Sequence, residues 1–129
     1  MSEENVEAIR RAYDAFSRGD FDTARKVAHP EAVLVRPGGQ SPLSGAAFRA
    51  WMEPDAISEQ RVEPREFRVN GDKVLVRQHV WSRGAGSGIE VEADFWAVWT
   101  FDEDGLVTRI EVFPVHQDEE ALEAAGLSE

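Results

Sequence analysis

The chain has no cysteine, few basic residues and no long apolar run, and each shortage closes off a class of function. Zero cysteines remove disulfides, thiolate nucleophiles and cysteine-ligated metals together. With 14 Lys and Arg against 25 Asp and Glu, the formal net charge is -11. A phosphate backbone would be repelled over most of the surface, so no nucleic-acid partner is expected. No segment approaches the roughly 20 apolar residues of a membrane helix. The opening Met1-Ser2-Glu3-Glu4-Asn5 is polar and acidic where a secretory leader is basic and then apolar. No membrane partner and a cytoplasmic location are therefore the expectation. Gly-rich phosphate loops, a nucleophile elbow and His-x-x-x-His spacing are also missing, so neither a metal nor another cofactor is expected.

What is present is an ordinary globular composition, 42% hydrophobic and 30% charged over 129 residues. That suffices for a single domain over residues 1–129 with its own core and a small cavity. Helical periodicity comes first. Val6, Ile9, Ala12, Tyr13 and Phe16 recur on one stripe behind an acidic start at Ser2, Glu4 and Glu7. Arg18-Gly19-Asp20 stops that helix and caps a short second one, over residues 21–28. Ala32-Val33-Leu34-Val35 reads as a first strand closed by Arg36-Pro37-Gly38-Gly39. Ser44-Gly45 opens a third helix with Phe48, Trp51 and Met52, ended by Pro54.

From Val62 to Phe113 the pattern changes to three hairpin-spaced, alternating runs. Helices followed by an antiparallel meander predict an α+β fold, with one sheet face buried against the helices. Asn70-Gly71 reads as a two-residue hairpin turn, setting Val69 opposite Asp72 and Phe67 opposite Val74. Asp102-Glu103-Asp104-Gly105 suits a type I turn with a glycine bulge, setting Trp99 opposite Thr108 and Phe95 opposite Val112. The middle turn, Gly84 to Gly88, is ambiguous by length. Pairing Arg83 with Glu90, His79 with Asp94 and Arg77 with Trp96 aligns opposite charges and a cation over a ring, and the neighbouring register breaks all three.

This register separates two faces. The inner one carries Val74, Val76, Gln78, Val80, Val91, Ala93, Phe95, Ala97, Trp99, Ile110 and Val112. The outer one mixes paired charges with Trp81, Trp96, Val98 and Phe113, which predicts a homodimer through that face. Residues 117–127 should form a short surface helix.

Ligand-contacting candidates are the polar and aromatic groups of the inner space. Gln78 is strongly polar in the middle of an apolar wall, and a buried amide must find a partner in the core or in a ligand. Tyr13 either brings its hydroxyl to the pocket or lets it emerge at the helix edge. Trp51, Phe95 and Trp99 could wall a polycyclic ligand or simply fill the core. Arg36 stands at the rim, where it could grip an oxygen or rest in solvent. Among the histidines, His116 lies just past the last strand and is the candidate for proton transfer. His79 beside Asp94 reads as a structural charge pair on the outer face.

The segments Ala8-Ile9-Arg10-Arg11-Ala12-Tyr13-Asp14-Ala15-Phe16-Ser17-Arg18-Gly19-Asp20-Phe21-Asp22, His29-Pro30-Glu31-Ala32-Val33, Ser44-Gly45 and Trp99-Thr100-Phe101-Asp102-Glu103-Asp104-Gly105-Leu106-Val107 resemble the SnoaL-like branch of the NTF2-like superfamily. The tail Glu120-Ala121-Leu122-Glu123-Ala124-Ala125-Gly126-Leu127 is similar to tails of bacterial members. The resemblance implies a cone-shaped, cystatin-like α+β roll, usually a homodimer through its sheet. It also implies a cavity used by polyketide cyclases, ketosteroid isomerases, epoxide hydrolases or binding-only members.

The catalytic pattern of those relatives does not carry over. A ketosteroid-isomerase-like site would want acids at Arg36 and Ala97 and a tyrosine at Ala12. An epoxide-hydrolase-like site would want Arg and Asp near Gln78 and Val80 and an acid near Val112. Both lose the carboxylates on which their proton transfer depends. Two readings follow. One is a small-molecule-binding protein holding an apolar, polycyclic or carbonyl-bearing ligand, with cofactor-free isomerase, cyclase or hydratase chemistry if it turns the ligand over. The other is a non-catalytic dimerisation or interaction module whose cavity is filled.

Overall fold

Ile9 and Tyr13 stand one helical turn apart and Ala8 and Ala12 beside them, so one stripe of the first helix faces inward and all four are buried. The computed structural model describes residues 2–18, 20, 22–23, 26–36, 39–42 and 57–127, with residues 2, 16, 36, 41, 42, 57 and 58 described in backbone only. Helix α1 spans Ser2–Ser17. Six strands follow: β1 (Ala28–Arg36), β2 (Gly39–Pro42), β3 (Ile57–Asn70), β4 (Lys73–Gly84), β5 (Glu90–Phe101) and β6 (Val107–Pro114). A 3₁₀ turn, Val115–Gln117, leads into helix α2, Asp118–Ala124. Among the described residues no helix is long and apolar enough to cross a membrane.

The sheet order is β2-β1-β6-β5-β4-β3. All neighbours are antiparallel except β1 and β6, which run parallel. This α+β architecture agrees with the expected fold class, with that one parallel junction added. Beneath α1, Val62, Val74, Val76, Ala97, Trp99, Phe101 and Val107 form the main core. Each fully buried valine or isoleucine there contributes about 1.5–3 kcal/mol relative to exposure. The edge strand β3 carries Glu59, Arg61, Glu63, Arg65, Glu66 and Arg68, and its register shifts between Pro64 and Glu66. Charges, a proline and a bulge on an outermost strand discourage pairing with a foreign edge.

Several local expectations are corrected. The chain is helical at Asp22 and Thr23 but turns at residues 26–27 and is already strand at Ala28, so β1 starts four residues before Ala32. Strand β2 was not anticipated, because Gly39, Gln40, Ser41 and Pro42 carry no strand-forming side chain. The expected third helix, with Trp51, lies outside the described residues.

The β4–β5 register is the charge-matched one, with Arg83 opposite Glu90, His79 opposite Asp94 and Arg77 opposite Trp96. The two outer hairpins each differ by two residues from expectation. Val69 faces Val74 and Asn70 faces Lys73, so the turn residues are Gly71 and Asp72. Gly71 has φ 61°, and a positive φ at the first central position alone is the II′ pattern. Trp99 likewise faces Ile110, with a register shift between Thr100 and Phe101. The Asp102 carboxylate accepts from the Asp104 and Leu106 amides at 2.9 Å each, holding the wider loop shut. Because side chains alternate with period two, a slip of two leaves every residue on its expected face.

The tail is more than a surface helix. Ala121 and Ala125 are fully buried against Leu75 and Val98 on the outer face of the sheet. Asn70 Nδ2 donates to the carbonyls of Ala125 (2.9 Å) and Gly126 (3.1 Å), and Lys73 Nζ to that of Ala124 (3.2 Å). Gly126, at φ 73°, closes the helix, its own N–H donating to the Glu123 carbonyl and the Leu127 N–H to that of Leu122. A β-carbon at Gly126 would meet Asn70 Nδ2 at 2.7 Å. Val98, placed by sequence in the exposed outer patch, is therefore covered, because α2 lies over it.

Candidate functional site

Alternation along β4 turns Gln78 toward α1, and the helical stripe turns Tyr13 toward the sheet. The Tyr13 hydroxyl donates to Gln78 Oε1. Trp99, four residues along β5 from Phe95, the cross-strand partner of Gln78, stands edge-on to Tyr13, with ring centroids 5.5 Å apart and planes at 71°, a favourable aromatic arrangement. Tyr13 and Trp99 are buried, whereas Gln78 is half-buried. Three residues proposed from sequence thus meet at one point of an otherwise apolar wall. Burial pushes the Tyr13 phenol far above its ordinary pKa, and the nearby Trp99 indole offsets this only in part. The group is accordingly a neutral donor and not a base.

Trp99 Nε1 is buried without a hydrogen-bond partner among the described residues. The indole faces the Tyr13 oxygen and lowers the phenol pKa as a hydrogen-bonding neighbour, although the contact falls short of strict hydrogen-bond geometry. Sequence reasoning offered Trp99 as a wall and missed its N–H as an unused donor. The sequence carries no signal for it, because whether an indole finds an acceptor is decided by the packed arrangement.

Beyond Gln78 the inner face opens. Phe95, the cross-strand partner of Gln78, is half-buried, as are Val80 and Ala93. Further out, Val91 is 57% exposed and Ile89 64%. The Tyr13–Gln78 pair stands where the sealed core gives way to this open apolar strip.

A sequence model of the SnoaL-like domain matches residues 9–110. The chain belongs to the SnoaL-like family. A search of curated proteins finds no match. Among solved structures, this SnoaL-like protein is similar to TerC co-crystallised with polyporic acid, at 28% identity and TM-score 0.75, over 93% of this chain and 98% of that one. A putative polyketide cyclase from Sinorhizobium meliloti is 29% identical with TM-score 0.67, over 82% and 93%. SalBIII, an epoxide hydrolase/cyclase-like enzyme with a role in pyran ring formation in the polyether salinomycin, shares the fold at 18% identity and TM-score 0.77, over 90% of this chain and 94% of that one.

The remaining candidates of the SnoaL-like protein are dispersed. Arg36 ends β1 opposite Gly39, with its side chain outside the description, and Trp51 lies outside it altogether. His116 sits exposed on the 3₁₀ turn after β6. Since Pro114 faces Phe95, it emerges at the Phe95 end of the inner strip. Among the described residues, no group of three or more His, Asp or Glu side chains is placed to hold a metal.

On the outer face His79 Nδ1 lies 2.7 Å from Asp94 Oδ1, Arg77 bonds Asp94 at 3.1 Å, and Glu92 approaches His79 Nε2 at 3.4 Å. The Asp94 bond foremost, and Glu92 after it, holds the imidazole above its ordinary pKa, and the His79 bond holds Asp94 below its own. Trp81 lies between the Arg61 and Arg83 guanidiniums, at 5.2 and 5.3 Å, and donates to Glu90 at 2.9 Å.

Proposed function

We propose that this SnoaL-like protein holds a small, largely apolar molecule, carbonyl-bearing or polycyclic, between α1 and the inner sheet face. The carrying observation is the Tyr13–Gln78 hydrogen bond set in an apolar wall beside a half-open strip of Val80, Ala93 and Phe95. Few oriented polar groups amid apolar lining is the usual composition of a small-molecule site. The co-crystal of TerC with polyporic acid supports the reading, since that relative takes an organic small molecule. Any turnover would be cofactor-free isomerisation, cyclisation or hydration, with His116 carrying the proton and Arg36 gripping an oxygen at the rim. The cytoplasm is the proposed location, testable by fractionation.

The test is a thermal-shift and calorimetric screen of polycyclic ketones and quinones, because a binder of the native state raises the melting point. Gln78→Leu should abolish the binding seen with the native chain while far-UV circular dichroism stays native. Unchanged affinity in both Gln78→Leu and Arg36→Ala would refute the site.

The same proposal includes a homodimer through the outer face. Trp81, Trp96 and Phe113 are half-buried there among paired charges, and Val98 adds no surface because α2 covers it. Sedimentation velocity at micromolar concentration should give a dimer, and a monomer would defeat that claim.

A further inference from the structure

We propose that association of two copies through the outer sheet face is proton-linked at His79, the dimer tightening when the imidazole is charged and loosening when it is neutral. This deepens the homodimer reading above and rests on it. His79 stands between the aromatics of that reading: Trp81 is two residues along β4, and Arg77, two residues the other way, faces Trp96. Phe113 comes next across the sheet, opposite Trp96. A contact that covers Trp81 and Trp96 together therefore covers His79 as well.

The charges facing the imidazole come from both neighbouring strands. From β5, Asp94 lies 2.7 Å from Nδ1 and Glu92 lies 3.4 Å from Nε2. From β3, Glu63 stands directly opposite and is paired with Arg65 at 3.2 Å. On β4 itself, Arg77 pairs with Asp94 at 3.1 Å. Glu63, Glu92 and Asp94 against Arg65 and Arg77 leave a charge of -1 with a neutral imidazole and zero with an imidazolium. Farther out the signs cancel. Arg61 and Arg83 flank Trp81 together with Glu59 and Glu90, Glu66 and Arg68 alternate on β3, and Arg109 pairs with Glu111. Lys73 lies apart, bonded to the end of α2.

In a single chain this cluster is open to water, which screens the odd negative charge. A second copy removes that water, and two-fold symmetry brings the same odd charge from the other side. A charge left unneutralised in a covered contact is costly, and like charges across it add to the cost. One proton on each His79 removes both penalties. The Asp94 bond foremost, and Glu92 after it, already favours the protonated ring. The dimer then binds more protons than the separated chains, so falling pH favours it.

The test is sedimentation of the full chain, of His79→Gln and of Glu92→Gln at constant ionic strength. The native dimer Kd should rise about tenfold between about pH 6 and about pH 8.5. His79→Gln should dimerise weakly and alike at both pH values. Glu92→Gln brings the cluster to zero with a neutral imidazole, so at the alkaline end it should match the native dimer at the acid end. A flat native profile, a His79→Gln dimer that keeps the native slope, or a Glu92→Gln dimer as weak as the native one in alkali overturns the proton link and leaves the homodimer standing. A native chain monomeric at both pH values overturns the two together.

Discussion

The Tyr13–Gln78 bond makes a sharp stability prediction because its two ends differ in access to water. Gln78→Leu strands the hydroxyl of Tyr13, a residue only 8% exposed. The full penalty of an unsatisfied buried donor then applies, about 1.5–3 kcal/mol. Tyr13→Phe strands the amide instead. Gln78 is half-buried and can turn to solvent, so the loss should be smaller, about 0.5–1.5 kcal/mol. Replacing both groups leaves an apolar wall with nothing to satisfy, and Tyr13→Phe/Gln78→Leu should lie within about 1 kcal/mol of the native chain. The singles are thus strongly non-additive, with a coupling of about 1–4.5 kcal/mol. Urea unfolding of the four proteins measures this, provided their m-values agree. If the two single losses simply add, or if Tyr13→Phe costs more than Gln78→Leu, the reasoning is wrong.

Further outcomes concern the outer face and the tail. The His79 imidazole should titrate by NMR with a midpoint above the ordinary value of about 6.5, and Asp94→Asn should bring it down. Since the His79 pKa is raised and that of Asp94 lowered, stability from the pair is fully present between about pH 4 and 6.5, fades as pH rises through the folded His79 midpoint, and is lost in acid as Asp94 protonates. A His79 midpoint insensitive to Asp94→Asn would contradict the assignment. Asn70→Ala removes two hydrogen bonds to the end of α2 and should cost about 1 kcal/mol. Amide exchange should quicken in residues 118–127 and remain slow in β5, and uniform acceleration would argue against a local clamp.

Much of this architecture could be read from the chain, for identifiable reasons. Three charge and cation–ring pairs agree on one β4–β5 register, so that hairpin was determined by evidence independent of its turn. The flanking hairpins rested on turn residues alone. Asn70 is enlisted by the tail's carbonyls, and the backbone slips at Thr100/Phe101, so both turns were displaced by two. Even displacement preserves facing, which is why Tyr13, Gln78 and Trp99 converge as their sequence positions implied. Burial of α2 was harder to see. Ala121 and Ala125, four apart, mark a flush helix face, but small side chains give little hydrophobic signal and suggested a solvent-exposed tail. Strand β2 had no propensity signal at all. For the site, sequence reasoning found residues but not the unused indole hydrogen, since an unmet hydrogen bond belongs to an arrangement and not to a residue type.

The parallel junction of β1 with β6 has a kinetic consequence. Strands β3 to β6 zip through short hairpins, whereas β1 joins β6 by bringing Ala28 to Val107 and Val35 to Glu111, most of the chain's length apart. Such a union closes a large loop before any contact rewards it. The meander should nucleate folding and the β1–β2 arm should dock late, so Leu34→Ala would mainly hasten unfolding while Val98→Ala slows folding.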